Sequence, residues 1–396
     1  MAAAILLTVY LSQSLLGGAL TDRCLRRWKR TADRASRLRK YWLIPYVLLA
    51  ALPIGGAFLP DSPVKFAVQA AGNVWLGFYL YYAGILAALM GLALLVRLMS
   101  RGRLCRSLHG GILCLSLILA AALTGYGLVH AQNTVVERYA LTVDKPGEDM
   151  RVVLIADLHL GVNSRLSTTQ RMVELINAEK PDVVVVAGDI FTSSYGGLSH
   201  PERYAEALRG IRSGYGVYAV YGNHDVEETL FGGFPISPVS AAFRSREMER
   251  FFEDCGFAVL ADEIVQLENG VQLAGRVDGM KAGDGTRNRL TPGELLAEAD
   301  SNLPILVLEH EPRNFKALKE AGADVVLCGH THAGQMFPGN LIVPFFNENA
   351  WGYASVHGLD TFVTAGVGCY GPPMRVGTNS EITVIDLKFE SPGSAN

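Results

Sequence analysis

The sequence predicts an α/β domain placed behind an α-helical membrane domain. Three observations carry that expectation. Five short apolar runs in the second part of the chain each end in Asp, Asn, Glu or His, three of them through a glycine; helical patterns separate them; and the first 130 residues hold four long runs free of Asp, Glu, Lys and Arg. With 49% hydrophobic and 18% charged residues, the 396-residue chain is apolar for a soluble protein, and the excess is concentrated at the amino end.

The four uncharged runs are Ala2–Leu20, Tyr41–Leu59, Val74–Val96 and Gly110–Val129, 19 to 23 residues each. That length spans a hydrocarbon core of ~30 Å at ~1.5 Å per residue, so four spans are expected. Pro45 and Pro53 make the second the least regular, with bundle neighbours to satisfy the freed carbonyls. No Lys or Arg precedes Ala2–Leu20, unlike a cleavable signal peptide. Thr21–Lys40 carries nine Lys or Arg and Arg97–Arg106 four, against one in Pro60–Asn73. By the positive-inside rule the first and third loops are cytoplasmic, and everything after Val129 lies on the extracytoplasmic side of the cell membrane.

After Val129 the balance changes to 21 Lys or Arg against 35 Asp or Glu, a formal charge near −14. Such a surface repels polyanions, so nucleic acid is a poor partner. Val135–Val143 reads as an opening strand, and Pro146-Gly147 as a turn. Helices are expected at Ser167–Asn177, Glu202–Ile211, Ser245–Cys255, Thr291–Ala299 and Arg313–Ala321. Val259–Leu267 and Val271–Val277 read as a hairpin about Asn269-Gly270, and Phe362–Val367 and Ile382–Leu387 as closing strands. Cys255, Cys328 and Cys369, an odd count, permit at most one internal disulfide in this part.

The chemistry-bearing residues sit where the apolar runs stop. Val152–Ala156 leads into Asp157-Leu158-His159, and Val183–Ala187 into Gly188-Asp189. Val217–Tyr221 leads into Gly222-Asn223-His224-Asp225, Ile305–Leu308 into Glu309-His310-Glu311, and Ala323–Cys328 into Gly329-His330-Thr331-His332. One such strand end is an ordinary cap or solvated loop. Five in succession converge as ligands do at the carboxyl ends of strands. Imidazole and carboxylate together make metal binding the leading expectation.

In order and spacing, Asp-x-His, Gly-Asp, Gly-Asn-His-Asp, a lone His and Gly-His-x-His resemble the calcineurin-like metallophosphoesterase superfamily. The closer resemblance is to its bacterial membrane-associated phosphohydrolase branch, whose last motif reads Gly-His-Thr-His-x-Gly-Gln before a Gly-rich Pro-x-Arg segment. Here that segment is Gly366 to Arg375, and Ala333 stands where the branch often has Gly. The resemblance covers roughly 150–387 and implies a four-layer α-β-β-α sandwich behind the four-span helical domain. The chain is accordingly divided into a transmembrane domain 1–131, a metallophosphoesterase domain 132–390 and a disordered tail 391–396.

The resemblance further implies two divalent cations, ~3.5–4 Å apart, which can clamp a phosphate and make hydroxide available near neutral pH. It assigns Asp157, His159 and His332 to one and Asn223, His310 and His330 to the other, with Asp189 as bridge. His224 would protonate the leaving oxygen or stabilise transition-state charge, with Asp225 holding its tautomer. Arg375 would contact a substrate phosphate through its fork. Mixed N/O ligands admit Mn, Fe, Zn or Co. The expected function is hydrolysis of a phosphate-containing small molecule or lipid, by a multi-pass membrane protein. Some relatives hydrolyse UDP-2,3-diacylglucosamine or similar lipids, but the extracytoplasmic sidedness argues against a nucleotide-lipid here. A non-catalytic metal-binding sensor on the same fold would be favoured by a lost ligand, and none is missing. A transporter is disfavoured because no span carries an intramembrane charge.

Overall fold

In the computed structural model the described residues are 2–28, 32–60, 62–100, 108–231, 234–235 and 237–390. The expected tail 391–396 and most of the Arg-rich loop 97–106 lie outside them. The chain divides into two compact units, one of residues 1–129, 229–236 and 371–374, the other of 130–228, 237–370 and 375–396.

The first unit contains α1 (Ala2–Trp28), α2 (Ala32–Gly55), α3 (Pro63–Met99) and α4 (Leu108–His130). Ser62 starts α3 by accepting the Lys65 amide at 3.2 Å, with Pro63 in the first turn where no amide is needed. Gly72 lets α3 approach α2 closely, since a Cβ there would lie 2.9 Å from the Pro53 backbone. Among the described residues, α3 and α4 are long and apolar enough to cross a membrane. Only 28% and 33% of their most apolar stretches are buried within the protein. A helix that is apolar all round and largely uncovered needs a non-aqueous neighbour. The other two expected spans fall on α1 and α2, and the apolar part of α2, Tyr41–Gly55, is shorter than a span. The described residues thus offer two candidate membrane helices where the sequence led us to expect four.

The second unit holds two mixed six-stranded sheets. The first contains β1 (Thr134–Val143), β2 (Met150–Ile155), β3 (Val183–Ala187), β4 (Val217–Val220), β7 (Ala258–Val259) and β14 (Ser380–Phe389), ordered β1-β14-β2-β3-β4-β7. (β5, Leu230–Phe231, and β6, Phe234–Pro235, form a small hairpin in the helical unit.) The second sheet runs β12-β13-β11-β10-β9-β8 and contains β8 (Glu263–Gln266), β9 (Gln272–Gly275), β10 (Ile305–Leu308), β11 (Val325–Cys328), β12 (Gly352–Val356) and β13 (Leu359–Val363). The central strands β2, β3 and β4 are parallel in one sheet, as are β9, β10, β11 and β13 in the other.

Parallel strands covered on both faces read as unbroken apolar runs. Val152, Leu154, Val183 and Val185 pack with Leu306, Leu308, Val325 and Leu327 in the layer between the sheets. The alternate residues Val153, Val184 and Val186 face α5 (Leu166–Glu179), α6 (Pro201–Arg209) and α7 (Arg246–Cys255), through Met172, Ile176, Leu208 and Phe252. Behind the second sheet, Val307 and Val326 meet Leu295 of α8 (Pro292–Leu295) and Phe315 and Leu318 of α9 (Phe315–Glu320). Each such buried aliphatic contributes ~1.5–3 kcal/mol, so a charge at Val185 would cost the register of both layers. No disulfide ties the described part of the chain; Cys255 and Cys328 are buried free thiols.

Two expected strands are corrected. Val259–Leu267 is not one limb of a hairpin: Ala258–Val259 pairs with β4 in the first sheet, and only Glu263–Gln266 pairs with β9 in the second. The chain changes sheets between them, turning at Asp262 with φ 59°. The run Phe362–Val367 also splits: the strand ends at Val363, and the Val367 amide reaches the Ala156 carbonyl at 3.0 Å, across to the first sheet.

Candidate active site

The carboxyl ends of β2, β3 and β4 meet those of β10 and β11, and the short turns that follow carry the chemistry. At each turn the backbone is fixed by a neighbour: Asp157 donates its amide to the Gly188 carbonyl at 2.9 Å, and His159 to Asp189 at 3.0 Å. Each inner carboxylate spends one oxygen on a backbone amide and turns the other inward. Asp157 accepts the His330 amide on Oδ2 at 2.9 Å, and Asp189 accepts the His224 amide on Oδ1 at 2.8 Å. Gly329 permits this approach, since a Cβ there would lie 2.6 Å from Asp157 Oδ2. Asp157, His159, Asp189, His330 and His332 hold left-handed backbones, with φ of 55°, 46°, 55°, 75° and 52°. Non-glycine residues seldom adopt this region, and clusters of them mark functional sites.

The inward atoms gather in two groups. In the first, His159 Nε2 lies 3.0 Å from His332 Nε2, and these nitrogens lie 3.9 and 3.6 Å from Asp157 Oδ1. In the second, His310 Nε2 lies 3.1 Å from Asn223 Oδ1, 3.2 Å from His330 Nδ1 and 3.2 Å from Asp189 Oδ2. The same Asp189 Oδ2 is 3.7 Å from His159 Nε2, so it faces both groups. Donors ~2.0–2.2 Å from one tetrahedral cation are roughly 3.4 Å apart, the spacing seen in both groups. Asp157 Oδ1 is buried and has no hydrogen-bond partner, an orphan that a cation would satisfy. Asp157, His159 and His332, and Asp189, His310 and His330, are thus two sets able to hold a metal ion. His310 Nδ1 lies 2.7 Å from the Ala187 carbonyl, which fixes that nitrogen as a donor and makes Nε2 the atom that faces the second group.

Burial dominates the electrostatics. It lowers His159 to about 4 and His330 to about 3, and raises Asp157 to about 7. Burial works against charge on Asp189 and His310 too, but there their mutual attraction prevails: Asp189 is held well below the usual carboxylate range and His310 well above the usual imidazole. The site therefore presents His159, His330 and His332 as neutral imidazoles beside a charged His310–Asp189 pair, and a cation bound at the second group would take the place of the His310 proton.

A family model for the calcineurin-like phosphoesterases matches residues 150–334, the stretch that supplies every one of these side chains. Those residues belong to the calcineurin-like phosphoesterase family. Over 297 residues the chain is 33% identical to a Danio rerio protein named transmembrane protein with metallophosphoesterase domain, covering 69% of this chain and 62% of that one. It is 28% identical to a metallophosphoesterase of Helicobacter pylori over 62% of this chain and 61% of that one. It is 27% identical to one of Aquifex aeolicus over 69% of this chain and 98% of that one. The chain thus spans about three fifths of the zebrafish and Helicobacter relatives.

Three other residues expected in the phosphoesterase site are placed as follows. His224 stands beside the first group, its ring 5.5 Å from that of His159. Asp225 does not touch the His224 ring. Its carboxylate is buried and accepts the amides of Asp189, Phe191 and Gly222 at 2.8–2.9 Å, so it shapes the β3 and β4 turns. The partner of His224 Nδ1 is Ser193, at 2.7 Å, a buried residue on the turn after β3. Arg375 is fully buried rather than turned toward a substrate: it donates to the carbonyls of His332, Ala365, Gly366 and Gly368. Both terminal nitrogens of its fork are occupied by backbone carbonyls, and the remaining Nε is itself buried.

Sequence reasoning missed Ser193 and Tyr370. The Tyr370 ring stacks on His224 with centroids 4.5 Å apart and stands 5.3 Å from His159, forming a wall of the site. Of the acids flanking His310, Glu309 is held by Arg276 and Arg289 at 2.6 and 2.7 Å, while Glu311 Oε1 lies 3.7 Å from His330 Nε2.

Proposed function

We propose that the chain is a membrane-anchored phosphohydrolase that holds two divalent cations and cleaves a phosphoester or phosphoanhydride bond of a small or lipid-linked substrate. The observation that carries the reading is Asp189 Oδ2, set 3.7 Å from His159 Nε2 and 3.2 Å from His310 Nε2, between two complete donor groups. Asp157, His159, His332 and Asp189 would hold one ion, and Asn223, His310, His330 and Asp189 the other. Such a pair neutralises phosphoryl charge and lowers the pKa of water. The neutral Asn223 oxygen limits the anionic ligands to two carboxylates, leaving net positive charge for a phosphate.

Ser193 engages Nδ1 of His224 and leaves Nε2 for the substrate, where its N–H can bond a phosphoryl oxygen or pass a proton to the departing one. Tyr370 stacks on the same ring and limits its swing. Hydrolysis then balances: water adds to phosphorus, one P–O bond breaks, and the leaving oxygen takes a proton. The domain reading is a transmembrane domain 1–131 and a phosphoesterase domain 132–390. On this reading the four uncharged runs are four spans, and the 13 basic residues of 21–40 and 97–106 put the phosphoesterase domain on the extracytoplasmic side.

The test uses the purified full chain in detergent, with elemental analysis and rates on an alkyl phosphate ester, whose alkoxide cannot leave unassisted. His224→Ala should keep both metals and slow turnover ~10²–10⁴-fold. Asp189→Asn should lose metal and activity together. A wild type that hydrolyses nothing on a panel of mono- and diesters, while binding metal, would replace this reading with that of a binding protein.

A further inference from the structure

We propose that the segment Phe337–Phe346 is a hook that inserts into the surface of a lipid bilayer and docks the phosphoesterase domain on it. Residues 336–346 contain no Asp, Glu, Lys, Arg or His. They fold as α10 (Gly339–Ile342) and a following 3₁₀ turn, Val343–Phe345. Phe345 and Phe346 are 84% and 80% exposed, and Leu341, Phe337 and Ile342 58%, 50% and 49%. The same domain buries Phe191, Phe252, Phe315 and Phe362 to 1% or less, so it has room for phenylalanine inside and presents these outside. Exposed contiguous apolar surface of this kind marks an interaction site.

The hook is rooted, not loose. Gln335, three residues beyond His332, bonds the Tyr370 amide and carbonyl at 2.9 and 3.0 Å. The Phe337 amide donates to the Val376 carbonyl at 2.8 Å, and Thr378 Oγ1 to the Gln335 carbonyl at 2.7 Å. The fold therefore fixes the direction of the aromatics relative to the site, and Tyr370 belongs to both.

Three features select lipid as the occupant. A protein partner is oriented by polar groups at the rim of an apolar patch, and eleven consecutive residues here supply only one polar side chain, Asn340. The chain also carries two helices long and apolar enough to cross a membrane, so a bilayer is the apolar phase within its reach. Finally, residues 130–396 carry a formal charge near −14, so attraction to anionic headgroups cannot drive the contact. Apolar insertion can, and it is insensitive to salt.

The test places photoreactive p-benzoylphenylalanine at Phe345 of the full-length protein in phosphatidylcholine nanodiscs, with Lys316, exposed on α9, as the control position. Mass spectrometry after illumination should find lipid adducts at 345 at least about fivefold above those at 316. The yield should be equal at ~0.1 and ~0.5 M salt, because the Debye length falls across that range while apolar burial does not. Cross-links from 345 to another copy of the chain or to its own helices, or a yield equal to that at 316, would overturn the proposal. The readout needs no turnover, so it stands or falls apart from the hydrolase reading.

Discussion

Arg375→Lys separates a structural arginine from a substrate-binding one. The guanidinium reaches four carbonyls, at 2.6 Å (Ala365), 2.7 Å (Gly368), 3.0 Å (Gly366) and 3.3 Å (His332). Hydrogen bonds from a charged donor are worth ~1.5–3 kcal/mol each. Three of these carbonyls share the two hydrogens of Nη2, so a lysine ammonium that keeps two bonds forfeits about one, ~1.5–3 kcal/mol. That is a sizeable part of a typical ~5–15 kcal/mol of net stability and corresponds to a fall of roughly 3–12 °C in Tm. The loop from Ala365 to Gly368 also donates to the Ala156 and Asp157 carbonyls at 3.0 and 2.8 Å, so metal at the Asp157 group should be lost with it. Thermal unfolding of the full chain, with metal content measured in parallel, reads both. A variant that melts within about 2 °C of wild type, retains its metals and shows only a raised KM would refute this reasoning and return Arg375 to the substrate.

Ser193→Ala removes the 2.7 Å bond to His224 Nδ1 but not the backbone bond from Ser193 to the His224 carbonyl. Turnover should fall ~10–100-fold with metal content unchanged, as measured by rates and elemental analysis. Gly329→Ala drives a methyl toward Asp157 Oδ2 and Ala156 Cβ, 2.6 and 2.5 Å away, and should lower metal occupancy at the first group without unfolding the sheets; full occupancy with unaltered rate would contradict it. Reporter fusions active only outside the cytoplasm should be active after Val129 and silent within 21–40, and the reverse pattern would invert the topology.

The strands that carry the site were legible because their signal is local. Val183–Ala187 is apolar at every position and stops at glycine, and its carboxylate follows at once. At Asp157, Asn223, His310 and His330 an apolar run likewise ends within two residues of a polar ligand type, with a glycine between at Asn223 and His330. What stayed hidden depends on contacts between distant residues. Ser193 sits on a turn without periodicity, and its bond to His224 spans 31 residues. Arg375 looked like a surface fork because nothing in Pro-Pro-Met-Arg announces that four carbonyls close around it. Asp225 follows His224 in sequence, yet its oxygens face amides of its own turn and of the turn after β3. The edge strand Gly352–Val356 escaped notice because its alternate residues are exposed and its apolar content is low. The sheet change after Val259 is marked in sequence only by Asp262-Glu263, which an exposed strand also tolerates, so pairing is needed to reveal it.

The five left-handed residues bear on how this chain would age if its chemistry ceased to matter. Each L side chain held at such a φ costs about 1 kcal/mol relative to glycine, so Asp157, His159, Asp189, His330 and His332 together forgo about 5 kcal/mol of stability. In a lineage released from selection for activity, glycine or asparagine at any of them would be an improvement, and drift would find those exchanges early. A retired relative should therefore betray itself first at these turns, before its core erodes. This chain still keeps Asp or His at all five.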